Sequence, residues 1–208
     1  MGVVLKANRS PGEVSVAAED YIHSTIGNFR SALYTRFPSN AFETTGIFAE
    51  TNNMNNHFMT RAIQLSIENA RSARGGPFGA VVARGTEIIA EGANEVTVRK
   101  DPTAHAEIIA IRTACETLHT FELRGCDLYA SCEPCPMCLG AIHWARIARV
   151  FFASTAADAT QNGFDDSAIY REIAKPVHQR EIPMVQIMRD EALEAFHIWH
   201  ATPNKTPY

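Results

Sequence analysis

The stretch SCEPCPMC, Ser131 to Cys138, holds three of the chain's five cysteines. Cys135 and Cys138 stand three apart, and Pro136 between them suits the first position of a helix. On that helix both sulfurs face one side, which is metal-ligand spacing, and the positive end of the helix dipole favours their thiolates. A thioredoxin-like redox pair or two buried cysteines would show the same C-x-x-C spacing. The second constellation is TAHAEII, with His105 and Glu107 two residues apart. In a helix interior these side chains would point about 200° from each other, so they converge only in a first turn. Asp101-Pro102-Thr103 supplies a helix-start signal there. His105, Cys135 and Cys138 make three ligands, the count of a catalytic zinc with an open position, whereas a structural zinc is closed by four. Glu107 is then free to carry protons. Cys132, before Glu133-Pro134 at a strand end, reads as a small buried apolar residue. His197 and His200 have metal-pair spacing without a third partner nearby, and a solvated helix face explains them.

The elements that must position these groups are set by periodicity. Phe58, Ala62, Ile63, Leu65, Ile67 and Ala70 fit one helical face, ended by Gly75-Gly76-Pro77. FGAVVAR and EIIAEGANEV read as a hairpin turning at Gly85. Next come a helix AEIIAIRTACETL, a strand DLYAS, a helix after Pro136 and a strand RVFFAS. This alternation predicts crossover connections and a partly parallel sheet between helices, whose strand-to-helix loops gather on one edge. PMVQIM reads as a last strand, DEALEAFHIWHA as a helix, and the end as a polar tail. Residues 1–53 differ: turn-like ANRSPGEVS and NAFETTGIFAETNN flank one helix-compatible segment, AAEDYIHSTIGNFRSALY, and none carries chemistry. The expected organisation is an amino-terminal extension of unknown role over 1–53 and one domain over 54–208. The extension is either a loosely held, partly disordered arm or sequence upstream of a true start at Met54.

Composition bounds the function. The 46% apolar and 20% charged residues are those of an ordinary globule. A net charge of −4 and a pI near 6.1, with no basic run, argue against a nucleic-acid partner. The sequence shows neither a signal peptide nor an apolar run of about 18 residues, so the expected location is the cytoplasm, with no membrane contact. There an odd number of cysteines favours metal or catalytic thiols over disulfides.

His-Ala-Glu at 105–107 together with Pro-Cys-x-x-Cys at 134–138 resembles the signature of zinc-dependent nucleobase deaminases. GGPFGAVV, DPTAHAEIIAIR, SCEPCPMCLGAIHWAR, GFDDSAIY and the terminal tyrosine are similar to one branch, the bacterial guanine deaminases of the cytidine deaminase superfamily. The resemblance covers roughly residues 54–208. It implies a three-layer α/β/α sandwich around a mixed, mostly parallel sheet of five strands. It also implies one zinc per subunit and a homodimer that exchanges carboxy-terminal segments. The implied reaction is hydrolysis of guanine to xanthine and ammonia, with zinc activating water and Glu107 shuttling protons. Asp166 would accept from guanine's N–H groups and relay a second proton, and Tyr208 would close over the base in the partner's site. Phe78 is a stacking candidate, Trp144 a pocket wall, and Asn94 a donor and acceptor for the carbonyl and imidazole edge. Core packing, helix packing and a turn explain these last three equally well. A tRNA adenosine deaminase would share His-Ala-Glu and Pro-Cys-x-Met-Cys, yet should carry a basic tail. Residues 185–208 instead place Arg189 and Lys205 against Asp190, Glu191 and Glu194. Deaminases of cytosine, guanosine or aminotriazines are further alternatives, and a structural zinc module would need a fourth ligand.

Overall fold

The computed structural model describes residues 44–207, with side chains from residue 53 onward. The segment 18–35 expected to be helical, and Tyr208, lie outside the described residues. The chain divides between Ile47 and Phe48. All elements of the second unit lie beyond that division except the first helix, which crosses it.

Helix α1 spans Thr44–Ser72, so the expected boundary at Met54 falls inside it. Phe58, Ala62, Ser66 and Asn69 recur at helical spacing and are buried together. Ile67 and Ala70, expected on that face, are exposed, while the polar Ser66 and Asn69 take the inner positions. Strands β1 (Gly79–Arg84) and β2 (Glu87–Ala93) form the hairpin expected around Gly85. After a short helix α2 (Val96–Arg99) come α3 (Ala106–Leu118), β3 (Asp127–Cys132), α4 (Pro136–Trp144) and β4 (Arg149–Ser154). Helices α5 (Ala156–Gln161), α6 (Ser167–Ala174) and α7 (Arg189–Ala201) complete the described chain.

The strand order is β2-β1-β3-β4. β1 pairs antiparallel with both β2 and β3, and β3 pairs parallel with β4, so three strands run one way and β1 opposes them. Alternation along β1 builds two cores. Ala80 and Val82 face Ala106, Ala110 and Leu128 on the α3 side. Val81 and Ala83 face Phe58, Ala62 and Tyr129 on the α1 side. That is the α/β/α layering. On the α1 side Tyr129 stacks on Phe151 at 4.8 Å and donates from its hydroxyl to Asn55 Oδ1 at 2.7 Å.

Four strands are present among the described residues, not five. A strand persists only where its N–H and C=O groups meet a neighbour's, and within one chain PMVQIM pairs with none. It forms no strand, and Ile182, Val185 and Ile187 are 79%, 79% and 76% exposed. β4 is left as an edge strand, with Phe152 on the surface.

Candidate active site

The register places Gly79, Ala93, Cys132 and Ser154 at one end of the sheet, and the starts of α3 and α4 meet there. Gly92 permits the approach of α3: a Cβ at that position would stand 2.2 Å from the Ala106 carbonyl oxygen. His105 is the N-cap of α3 and Cys135 the N-cap of α4, both with extended backbone. That geometry brings residues two apart, His105 and Glu107, onto one site. Pro136 opens α4 as its proline chemistry dictates.

His105 Nδ1 lies 3.6 Å from the Sγ of both Cys135 and Cys138. Ligand atoms about 2.1 Å (N) and 2.3 Å (S) from zinc at tetrahedral angles sit about 3.6 Å apart, so the donor set fits zinc in type and spacing. The three ligand atoms lie within 4.8 Å of one another. Cys132 stands outside the group, directing its thiol to the Thr155 carbonyl oxygen at 3.6 Å. The hydrogen bond from Cys138 brings the Cys135 thiol down to about 4, and the same bond together with burial pushes Cys138 up. His105 is raised by its hydrogen bond with Cys135. Glu107 is 8% exposed, and burial drives its carboxyl above the usual carboxylate range.

His105, Glu107 and Cys135 line a cavity of about 390 Å³ that also takes in Phe78, Asn94 and Asp166. Asn94 Oδ1 accepts from the backbone N–H of Gly76 at 3.2 Å and of Val96 at 3.3 Å. Both acceptor sites are thereby used, and Nδ2 meets no acceptor among the described residues. Asn94 therefore offers the cavity donors, not the donor and acceptor expected from its type. Asp166 begins α6 without capping it, and its carboxyl is raised by burial, then by Cys135. Trp144 is not in this cavity. Six residues turn it about 240° around α4 from Cys138, and it is 68% exposed, beside an apolar groove shared with Phe196 and Trp199.

Among the cavity residues with no role assigned from sequence are Phe164 and Glu133. Phe164 packs edge-on against Phe78, with centroids 4.9 Å apart. An aromatic two positions before Asp166 was the available signal. Glu133 lines the cavity and accepts from the Ala156 N–H at 3.0 Å. Nothing in its spacing distinguishes it from a loop carboxylate.

Residues 52–154 match the family described as the cytidine and deoxycytidylate deaminase zinc-binding region. A guanine deaminase of Bacillus subtilis (strain 168) is 52% identical over 151 residues, which is 73% of this chain and 97% of the relative. The X-ray structure of guanine deaminase from Bacillus subtilis superposes with a TM-score of 0.72 at 52% identity, covering 74% of this chain and 98% of that one. A tRNA-specific adenosine deaminase of Aquifex aeolicus (strain VF5) is 47% identical over 78 residues, 38% of this chain and 52% of the relative. The chain belongs to the bacterial guanine deaminases, a branch of the zinc-dependent nucleobase deaminases of the cytidine deaminase superfamily.

Proposed function

We propose that this protein hydrolyses guanine to xanthine and ammonia, with one zinc per subunit held by His105, Cys135 and Cys138. The reading is carried by a His/Cys/Cys cluster beside the buried Glu107, in a chain 52% identical to a guanine deaminase along 97% of that enzyme. Zinc there supplies Lewis acidity that lowers the pKa of water toward neutrality. Glu107 takes one proton of the attacking water and passes it to a ring nitrogen, and then carries the water's other proton to the departing amine. The water oxygen becomes the new carbonyl at C2, and ammonia leaves. Phe78 and Phe164 present an apolar wall to the base. Asn94 donates to its carbonyl and imidazole edge, and Asp166 accepts from its N–H groups and relays a second proton.

The chemistry resides in residues 54–208. The active form is a homodimer in which the carboxy-terminal segment passes to the partner, bringing Tyr208 to the partner's site. The apolar side chains exposed from Ile182 through Trp199 support that reading, as does the edge of β4. All five cysteines are free, which suits the reducing cytoplasm. The deciding experiment measures ammonia from the purified protein on guanine, guanosine, cytosine, aminotriazines and adenosine-containing tRNA. Guanine should be turned over fastest; release from another substrate with none from guanine overturns the proposal.

A further inference from the structure

Asn69 is a polar residue on the inward face of α1, 6% exposed. Asparagine in a helix interior costs roughly 0.5 kcal/mol relative to alanine, and its buried amide must be satisfied. Helix formation therefore does not call for it. Its Nδ2 donates to two carbonyl oxygens, those of Gly76 and Asn94, each at 2.8 Å. These two main-chain segments carry the base-facing side chains. Gly76 N–H donates to Asn94 Oδ1 at 3.2 Å, Asn94 N–H donates to the Phe78 carbonyl at 3.1 Å, and Phe78 N–H donates to the Gly76 carbonyl at 2.8 Å. The segments come together only because position 75 is glycine, where a Cβ would stand 2.0 Å from the Asn94 carbonyl oxygen.

We propose that Asn69 is a positioning residue for base recognition: it clamps the Gly76 and Asn94 main chains so that Asn94 turns Oδ1 inward and Nδ2 toward the purine. Without that clamp the Gly76 N–H no longer holds Oδ1, which keeps only the Val96 N–H at 3.3 Å, and Nδ2 is aimed less firmly at a purine carbonyl. The proposal rests on the guanine reading of the cavity. It concerns binding and orientation of the base, not the metal or the proton carrier.

A double-mutant cycle on the zinc-loaded enzyme tests it, with KM, kcat, zinc content and melting temperature measured on each variant. Asn69→Ala should raise KM for guanine at least about tenfold while kcat changes by less than about threefold and zinc stays bound. In an Asn94→Ala background the same change should cost less than about twofold, because its effect passes through Asn94. Asn69→Ser, too short to reach both carbonyls, repeats the cycle with a smaller disturbance should the alanine variant fold poorly. Equal losses in the two backgrounds, or no loss in either, overturn the positioning role. A parent inactive on guanine would overturn the functional reading itself, and this proposal with it.

Discussion

Glu107 and Asp166 are both carboxylates facing the cavity, and their surroundings separate their tasks. Glu107 is buried beside the metal ligands, where removing its proton capacity leaves shape and hydrogen-bonding size intact. Glu107→Gln should keep full zinc and lose about 10²- to 10⁴-fold in kcat, checked by metal analysis and ammonia release on one sample. Asp166 starts α6 yet caps nothing, so its replacement removes no helix hydrogen bond. Asp166→Asn should lower kcat/KM on guanine at least about tenfold with an unchanged melting temperature; a loss that tracks unfolding would remove its assigned role. At this scale the sequence was most readable. His105, Glu107, Cys135 and Cys138 announce themselves because each sits close to a helix start, and local signals mark such starts. Asn69 was missed although its signal was present: it continues the helical spacing of Phe58, Ala62 and Ser66, so a polar group occupied a core position. Asn94 was readable as a polar residue of the site, and it does line the cavity, but which way its amide points depends on Gly76, eighteen residues away.

A metal held by the proposed ligands would couple two elements, since His105 opens α3 and Cys135 and Cys138 belong to the start of α4. Cys135→Ala should therefore lose zinc and stability together, because the free energy of metal binding is also folding free energy. Zinc analysis and urea melts with and without a chelator would check this, and full occupancy would show that the ligand set is wrong. On the opposite face α1 is tied to β2 by a two-pronged ion pair, Arg61 Nε and Nη2 each 2.7 Å from a Glu91 oxygen. The Arg61 hydrogen bonds hold Glu91 below the usual carboxylate range, with burial opposing them. A carboxyl depressed in the folded state contributes stability that is fully present above its unfolded pKa of about 4.3 and is lost as pH falls through the folded value. Arg61→Met should thus cost about 1 kcal/mol at neutral pH, with the gap from the parent closing below about pH 4 in urea melts. A gap that widened in acid would refute the pairing. Element types were readable here because hydrophobic period and cap residues are local. The reach of α1 back to Thr44 was not, since TTGIFAETNN carries turn-forming residues and its helical state shows only in the fold.

The whole molecule is where the sequence was least readable, because an edge strand and its partner need not belong to one chain. PMVQIM has the composition of a strand, yet among the described residues it pairs with nothing, and β4 keeps an open edge. Trp144 was misjudged for a more local reason: its place in the motif suggested the cavity, but α4 turns it to the outside, beside Phe196 and Trp199. Exchange of the carboxy-terminal segment between subunits would give PMVQIM and the β4 edge partners, and it would make each site a composite of two chains. Two defective variants should then repair each other. Deleting Tyr208 leaves the zinc ligands and Glu107 intact but removes the tail's aromatic end; Glu107→Gln leaves the tail intact but removes the proton carrier. Each alone should be nearly inactive on guanine. Mixed under conditions that allow subunit exchange, a hybrid dimer has one site with a working Glu107 and the partner's intact tail. Random pairing of equal amounts should recover about a quarter of the parent's activity per site, rising as exchange proceeds. Light scattering on the same samples should report dimers throughout. If each tail served its own subunit, every site in the mixture would stay defective, and an activity that never rises above the sum of the two variants would return the tail to its own chain.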